Sequence, residues 1–345
     1  MKIQVNARNT MYEFEAKPDE RILFAGLNQG LGLPYECASG TCGSCKARLV
    51  EGSLENLWPE SPRAAQLGSD EFLMCQCAAR SDLVVDVGVS VQALAADRAA
   101  PKVRSATIEE RRLLTRDVIE LDLSLDEPID FEAGQFVLMN VPGIDGYRGY
   151  SMVNFERGTR KLRFVVKRKP GGALTEWLFT ADPRKTAVRL FGPLGRAIFH
   201  PDIQRHIVCV AGGSGIAGMM SIVARACDEG YFENFRGHVF FGVRTMEDAF
   251  YLDELAAMCR RFPNALSVHV VLSEEEAGVS ARCAYPDLHF DRGLVHDAAG
   301  RHMKGKFSNT RAYVAGPPPA VDAATRMLLL EARLTPDNIC FDKFA

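Results

Sequence analysis

The chain has 345 residues and a mass of 38.0 kDa, which is long enough for two or three domains. Hydrophobic residues make up 47% and charged residues 25%, and these proportions exclude a disordered or collagen-like chain. The net charge of −3 gives no electrostatic basis for binding nucleic acid, so we expect no such partner. The N-terminus lacks the apolar segment of a secretory signal, so we expect a cytoplasmic protein.

The first predicted unit covers residues 1–92 and carries a net charge of −4, from eight basic and twelve acidic side chains. Short β-type stretches surround one helical segment in this unit. The stretches are Lys2–Val5, Tyr12–Glu15, Lys46–Val50 and Leu83–Val89, and the helical segment is Arg21–Gln29. Small residues and a closing proline then predict a linker over residues 93–101.

Five of the ten cysteines lie in this first unit, and Cys37, Cys42 and Cys45 have the spacing C-x4-C-x2-C. Cys75 follows after 29 intervening residues, which completes the spacing of a plant-type [2Fe-2S] site. Cys77 is the competing fourth ligand, but the spacing favours Cys75. Structural zinc or simple core packing are the alternatives; zinc sites usually pair two C-x2-C knuckles, and this loop has one.

Residues 102–202 contain β-type runs separated by glycine and proline turns, which predicts an antiparallel barrel. The runs are Val118–Leu125, Gln135–Val141, Lys161–Lys167 and Ala187–Phe191. Arg148, Tyr150 and Ser151 follow the second run. Arginine can bind a pyrophosphate in a fork, tyrosine can cover a flavin ring, and serine can hydrogen-bond to the reactive flavin nitrogen. The alternative is an edge-strand arginine beside a core tyrosine.

A second piece of a flavin site follows in the same region. Gly172 and Thr175 lie at the start of a predicted helix, Leu174–Thr180, and free N–H groups at a helix start stabilise phosphate. The alternative for Thr175 is an ordinary first-turn residue. We therefore predict an FAD site with Tyr150 and Ser151 in the catalytic positions.

From residue 203 to residue 345 strands and helices alternate, which predicts a parallel sheet covered by helices. The predicted strands are Ile207–Val210, His238–Val243, Leu266–Leu272 and Arg311–Val314, and the helices are Gly218–Asp228, Leu252–Arg261 and Pro319–Ala332. The uncharged run Ile207–Ala224 has 18 residues, long enough for a membrane-spanning helix. Its four glycines and two serines indicate a strand, a turn and a helix instead, so we expect no membrane span.

Two turns in this unit are candidates for binding a nucleotide. The first turn consists of Gly212, Gly213, Ser214 and Gly215, and within it begins a G-x-G-x-x-G match. The acidic residue that usually follows about 20 positions later is replaced by Gly242 and Arg244. We therefore predict a phosphate-binding turn outside a standard Rossmann half, with Arg244 either on the nucleotide or in solvent. Glu247 and Asp248 favour NADH, because they would repel the 2′-phosphate of NADPH.

The second turn contains Gly316 and Pro317 and follows the strand Arg311–Val314. It is a rigid connection to the next helix, and its place at the carboxyl edge of the sheet is also where nucleotides bind. Near the C-terminus, Phe344 either covers the exposed face of the flavin or simply packs.

In this order, the motifs CASGTCGSC with Cys75, RGYS, GGALT, AGGSGIAG, FGVR and AGPPP resemble the ferredoxin–NADP reductase superfamily. Among its members, the sequence is most similar to reductase components of bacterial multicomponent oxygenases. NLWPESP and the FDKF ending are similar to reductases of toluene-type aromatic monooxygenases. The resemblance implies a β-grasp plant-type ferredoxin domain, an antiparallel β-barrel FAD domain and an α/β NAD-binding domain with a parallel sheet.

The resemblance also implies a role for each candidate residue. The four cysteines would ligate a [2Fe-2S] cluster, the barrel residues would bind FAD, and the Gly212–Gly218 turn with Arg244 would bind NADH. Two positions depart from the family pattern: Gly218 stands where proline is common, and Ala315 where cysteine is common. Neither departure removes a cofactor.

The expected function is a reductase that passes electrons from NADH to FAD, to the cluster and then to an oxygenase component or its Rieske ferredoxin, in aromatic hydroxylation. We expect it to act as a monomer. Two alternatives remain open: a reductase of the same module order that serves a non-oxygenase partner such as a deoxysugar dehydratase, and a zinc-stabilised nucleotide-binding interaction module.

Overall fold

The computed structural model describes residues 1–61, 63–94 and 99–343. Within these residues the chain folds into three units in sequence order, each built on its own main sheet. Their architectures are a small mixed sheet with one helix, an antiparallel barrel and a parallel sheet with helices. The predicted fold class is confirmed.

The first unit is a mixed five-stranded sheet with one helix packed against it. Its elements are β1 (Lys2–Asn6), β2 (Met11–Glu15), α1 (Ile22–Asn28), β3 (Lys46–Glu51), β4 (Leu54–Asn56), β5 (Glu71–Leu73), β6 (Cys77–Ala79) and β7 (Leu83–Asp86). The strand order is β2-β1-β7-β3-β5, with β1 parallel to β7, and β4 pairs with β6 in a separate ribbon. Residues 22–27 of α1 are all buried, so this short helix fills the core of the unit.

The second unit is a six-stranded antiparallel barrel. Its elements are β8 (Lys102–Thr115), β9 (Val118–Ile129), β10 (Phe136–Asn140), β11 (Arg148–Ser151), β12 (Thr159–Lys167), α2 (Ala173–Thr180) and β13 (Ala187–Leu194). The order is β11-β10-β13-β8-β9-β12. A bridge between Met152 and Phe164 joins the two end strands, so the sheet closes on itself.

Two barrel strands, β8 and β11, were not predicted. The second half of β8 carries four consecutive charged residues, 109–112, and its burial pattern shows no apolar alternation there. Antiparallel pairing with β9 extends over this half, so backbone hydrogen bonds rather than burial hold it. Four-residue β11 is too short to give a periodic signal.

The third unit is a six-stranded parallel sheet with helices between the strands. Its elements are β14 (His206–Gly212), α3 (Ile216–Asp228), β15 (Gly237–Val243), α4 (Leu252–Arg261), β16 (Leu266–Leu272), α5 (Val279–Ala284), β17 (His289–Arg292), α6 (Val295–Met303), β18 (Thr310–Gly316), α7 (Pro318–Leu330) and β19 (Ile339–Lys343). The order is β17-β16-β15-β14-β18-β19. The direction of winding reverses between β14 and β18, and ligands of such sheets bind at that switch point.

The uncharged run over residues 207–224 forms β14, a turn and the start of α3, as predicted. Across the described ranges, no helix is both long and apolar enough to cross a membrane.

The first unit shares a hydrophobic core with the barrel. The ring of Phe24 on α1 stacks on Phe191 of β13, with centroids 3.8 Å apart and planes inclined by 7°. Tyr147 meets Phe24 edge-on at 5.3 Å, and Gly195 donates its backbone N–H to the Tyr35 hydroxyl at 3.2 Å. Buried aromatic pairs of this kind contribute beyond their area alone, so they fix the first unit on the barrel.

The predicted linker is held at both described ends. Leu94 donates its N–H to the Gly30 carbonyl at 2.6 Å, and the Asn28 amide donates to the Pro101 carbonyl at 3.0 Å. The intervening residues 95–98 lie outside the described chain. The domain boundaries at residues 92, 101 and 202 remain predictions.

We expect Phe24→Ala to lower the free energy of unfolding by about 3–5 kcal/mol, because it removes a fully packed ring from the shared core. Chemical denaturation followed by tryptophan fluorescence and flavin release measures this change. Leu113→Ala, at a side chain that is 64% exposed, is the control and should have little effect. Equal stability of the two variants would contradict a shared core.

Candidate cofactor-binding sites

The cysteine loop between α1 and β3 points its backbone N–H groups at sulfur. Cys37 Sγ accepts hydrogen bonds from the N–H groups of Ser39 at 3.4 Å and Cys42 at 3.3 Å, and Cys42 Sγ accepts from Ser44 at 3.4 Å. Positive φ angles at Ala38, Gly40 and Gly43 make this inward turn possible. Inward N–H groups around thiolates are what an iron–sulfur cluster requires.

Cys75 reaches the same place from the far end of the unit. Its Sγ lies 3.1 Å from Cys45 Sγ, and both residues are buried. The hydrogen bond between the Cys37 and Cys42 side chains lowers the pKa of Cys37 to about 4 and raises the pKa of Cys42. The bond to Cys75 likewise raises the pKa of Cys45. Metal binding displaces such protons, so the four thiols fit an iron–sulfur cluster.

Cys77, the competing ligand, lies in strand β6 opposite Asn56. Burial raises the pKa of this thiol to about 12. Its sulfur makes none of the sulfur–sulfur contacts recorded for the described residues. The geometry therefore favours Cys75 over Cys77, and the choice remains a prediction.

The three predicted flavin residues of the barrel lie together on β11, which is an end strand of the barrel sheet. Arg148 is half-buried, and its guanidinium lies 4.5 Å from the ring centroid of Trp58 in the first unit. Tyr150 is half-buried near Phe164, and burial raises the pKa of its hydroxyl. Ser151 is buried. One strand thus presents a cation, an aromatic ring and a hydroxyl, which fit FAD.

Thr175 stabilises the loop before α2. Its hydroxyl lies 3.1 Å from both the N–H and the carbonyl of Lys169, and 3.1 Å from the Gly172 carbonyl. A Cβ at Gly172 would come within 2.8 Å of this hydroxyl. Both predicted residues therefore shape the turn at the start of α2, whose N–H groups can bind phosphate.

The two glycine-rich turns of the third unit meet at the switch point of the sheet. A Cβ built on Gly215 would lie 2.3 Å from the Ala315 carbonyl oxygen, and one on Gly316 would lie 3.0 Å from the Gly212 carbonyl oxygen. Gly213 and Gly316 have positive φ angles. The two turns therefore form one surface, which consists of Gly212, Gly213, Ser214, Gly215, Gly316 and Pro317. A dinucleotide can approach backbone N–H groups there.

Arg244 follows β15 at the same edge, and its side chain is half exposed. Its Nε lies 3.5 Å from Asp248 Oδ2, and Asp248 also accepts from Arg116 of the barrel at 3.2 Å. Asp248 is buried and bonds the Thr245 N–H at 3.3 Å. The buried Asp248 carboxylate therefore lies between two arginines, whereas the neighbouring Glu247 side chain is exposed.

The flavin strand β11 and the first turn of α3 lie close together. A Cβ built on Gly218, in the first turn of α3, would lie 3.5 Å from both Cβ and Oγ of Ser151. The Ser221 hydroxyl also accepts the Gly134 N–H at 2.9 Å across the same interface. These contacts place the predicted flavin and nicotinamide sites side by side.

The C-terminal strand belongs to this assembly too. Strand β19 pairs in parallel with β18 up to the register of Lys343 with Gly316, which brings the chain to the carboxyl edge of the sheet. Burial, and then the nearby charge of Glu36 in the cysteine loop, raise the pKa of Asp342 to about 7. The third unit thus approaches the cysteine loop. Phe344 itself lies outside the described residues.

Sequence reasoning missed two side chains. Trp58 lies within the segment NLWPESP, which carries no local signal of its contact with Arg148, because that contact depends on how two units dock. Gln76 directly follows a predicted ligand, and its amide lies 3.3 Å from Cys75 Sγ. Its position next to Cys75 was the available signal.

A separate group of titratable residues lies on the α6 face of the parallel sheet. His269 Nδ1 and His302 Nε2 each lie 2.9 Å from a different oxygen of Asp291. Burial lowers the pKa of His269 to about 4. Since each ring already has a carboxylate partner, this cluster serves to hold α6 on the sheet.

Three known protein families match the chain in the same order. Residues 5–80 match the 2Fe-2S iron-sulfur cluster binding domain, residues 105–199 the oxidoreductase FAD-binding domain, and residues 209–326 the oxidoreductase NAD-binding domain. The ferredoxin–NAD(+) reductase component of the alkene monooxygenase system of Xanthobacter autotrophicus is 36% identical over 96% of this chain and 97% of its own.

The chain belongs to the ferredoxin–NADP reductase superfamily. It is an oxidoreductase with a [2Fe-2S] cluster, FAD and a nicotinamide nucleotide as cofactors. The xylene/toluene monooxygenase electron transfer component of Pseudomonas putida is 29% identical over 94% of this reductase and 89% of its own chain. The solved ferredoxin reductase of carbazole 1,9a-dioxygenase has a TM-score of 0.83 and 30% identity, covering 100% of this chain and 99% of its own.

We expect Gly215→Ala to raise the dissociation constant for NAD⁺ at least tenfold, because the added Cβ would lie 2.3 Å from the Ala315 carbonyl oxygen and push the two turns apart. Equilibrium titration followed by flavin absorbance measures the constant. Gly218→Ala is the matched control in the same turn region, since its Cβ meets Ser151 at an ordinary 3.5 Å. If both variants bind NAD⁺ like the parent, the turns do not form the nucleotide site.

Proposed function

We propose that this reductase is the electron-supplying component of a multicomponent hydrocarbon oxygenase. It takes electrons from NADH and passes them through FAD and the [2Fe-2S] cluster to the oxygenase component or to a Rieske ferredoxin. The observation that supports the proposal is the approach of Ser151 to the first turn of α3, where a Cβ added at Gly218 would lie 3.5 Å from the serine side chain. A direct transfer from nicotinamide to flavin requires this adjacency.

FAD supplies the conversion between electron pairs and single electrons, because oxidation of one NADH to NAD⁺ and H⁺ releases two electrons and a [2Fe-2S] cluster accepts one at a time. The chain positions the groups for this exchange. Arg148 and the N–H groups at the start of α2 would bind the pyrophosphate, and Tyr150 would cover the ring. Ser151 would donate a hydrogen bond at the reactive edge of the ring, in a place that its burial shields from water.

On the far side of the flavin site, the docked first unit would receive the electrons. The stack of Phe24 on Phe191 and the contact of Trp58 with Arg148 hold this unit against the barrel. Cys37, Cys42, Cys45 and Cys75 would ligate the cluster. The half-exposed rim of their loop would then face the partner protein.

The oxygenase substrate class is proposed from the relatives. The relatives at 36% and 29% identity are components of alkene and xylene/toluene monooxygenase systems, respectively. These names support a hydrocarbon oxygenase, and the aromatic class expected from the sequence remains our first choice. The net charge of −4 on residues 1–92 favours a partner with a basic docking patch, so transfer should weaken as salt rises.

We further propose NADH as the donor, since the exposed Glu247 would repel a 2′-phosphate beside Arg244. A cytoplasmic location suits an iron–sulfur site built from reduced thiols. We also propose that the protein acts as a monomer.

Reconstitution tests the proposed function. Purified reductase is mixed with NADH, an aromatic or alkene substrate, and either a diiron hydroxylase system or a Rieske dioxygenase with its ferredoxin. Hydroxylated product, coupled to NADH oxidation, is expected with one of them. Reduction of an artificial acceptor without product in either system would point to a non-oxygenase partner.

We expect Cys75→Ser to lose the cluster, while NADH still reduces the flavin of the variant. Iron analysis should fall from about two irons per chain, and the visible spectrum should show flavin alone. Cys77→Ser is the matched control, two residues away and equally buried, and should keep its iron. Loss of iron in the Cys77 variant instead would reverse the ligand assignment.

We expect Trp58→Ala to raise the dissociation constant for FAD about 2- to 30-fold, because a cation–π contact of Arg148 is worth about 0.5–2 kcal/mol. Fluorescence titration of the flavin-free protein gives the constant. Trp58→Phe keeps an aromatic face over the guanidinium and should remain close to the parent. If FAD binding is unchanged in the alanine variant, then either Arg148 does not bind the flavin or Trp58 does not support Arg148.

A further inference from the structure

Gln76 is held between the cysteine loop and the predicted fourth ligand. Its side-chain Nε2 lies 3.3 Å from Cys75 Sγ, and the residue is 1% exposed. A Cβ built on Gly40 would lie 2.9 Å from the same nitrogen. The missing side chain at Gly40 therefore makes room for this amide beside the sulfur.

The orientation of the amide follows from the chemistry of its neighbour. A thiolate accepts hydrogen bonds and cannot donate one, so the NH2 group, not the oxygen, faces Cys75. Gln76 Oε1 and Ser61 Oγ are buried without a hydrogen-bond partner among the described residues. Both residues line a cavity of about 140 Å³. A buried amide oxygen without a hydrogen-bond partner lowers the stability of the fold, so this orientation of Gln76 is destabilising by itself.

The bond to Cys75 differs from the others around the cysteine loop. Cys37 and Cys42 accept from backbone N–H groups, which no substitution of a side chain removes. The Cys45 thiol also approaches Cys75 Sγ, but this thiol is itself a predicted ligand and loses its proton on binding iron. The Gln76 amide keeps its protons whether or not the site is loaded.

We propose that Gln76 is a positioning residue that sets the reduction potential of the cluster through its N–H···S hydrogen bond to Cys75. Reduction adds one electron to the cluster and makes its sulfurs more negative, so a donor at 3.3 Å stabilises the reduced form more than the oxidised form. Gln76 thereby raises the potential and favours transfer from the flavin. This inference rests on the proposed electron path, with Cys75 as ligand.

Gln76→Met tests it, because methionine keeps the length of the side chain and removes both the donor and the unpaired oxygen. In the full-length holoenzyme, EPR-monitored redox titration should show about a tenfold lower equilibrium constant for cluster reduction. For one electron this is a potential about 59 mV more negative. The two-electron potential of the flavin should not move. A cluster potential equal to that of the parent, with full iron content, would overturn the proposal.

Ser61→Ala is the matched control. It removes the other unpaired polar atom of the same cavity without touching a sulfur, so the cluster potential should stay at the parental value. An equal shift in both variants would assign the effect to the cavity and overturn a specific role of the Gln76 amide.

A measurement on the unaltered chain covers the case in which Gln76→Met fails to hold its cluster. Pulsed EPR of the reduced holoenzyme, labelled with ¹⁵N in glutamine side chains, should resolve one weakly coupled amide nitrogen. Absence of that coupling would refute the hydrogen bond. Failure of the proposed function looks different: the unaltered protein would then lack iron, or NADH would not reduce it.

Discussion

The contact between the end of β11 and the first turn of α3 constrains everything around it. Ser151 belongs to the barrel and Gly218 to the third unit, and a Cβ added at Gly218 would be in van der Waals contact with the Ser151 side chain. A larger side chain at position 218 would move the turn or displace the hydroxyl. Cofactors that exchange electrons must lie near one another, so the close approach of Gly218 to the Ser151 side chain is a condition for the proposed path.

A second close approach involves Ala315, the other position that departs from the family pattern. A Cβ built on Gly215 would lie 2.3 Å from the Ala315 carbonyl oxygen, and Ala315 pairs with Ala211 where β18 runs beside β14. At this position, where the family resemblance leads us to expect cysteine, the chain has alanine. The backbone carbonyl and the glycine opposite it, rather than the side chain at 315, therefore define the shape of the nucleotide edge.

Patterns of spacing and alternation made most of the molecule predictable. Spacing predicted the four cysteines as one site, and alternation predicted four strands and three helices of the parallel sheet but not β17, β19, α5 or α6. The features that were not predicted depend on contacts between residues that are distant in sequence. The charged half of β8 is a strand because β9 pairs with it, and Trp58 meets Arg148 only because two units share a core. Local patterns carry no record of such contacts.

The stack of Phe24 on Phe191 has a kinetic consequence. A ferredoxin unit that shares a core with the barrel would have to break this aromatic stack to move between an electron-loading position and a delivery position. While this contact holds, electron transfer from the flavin to the cluster needs no movement of the two units. The diffusional encounter with the partner protein is then the step that depends on the concentration of the partner. Turnover in a cell would follow the abundance of the oxygenase rather than the internal motions of this chain.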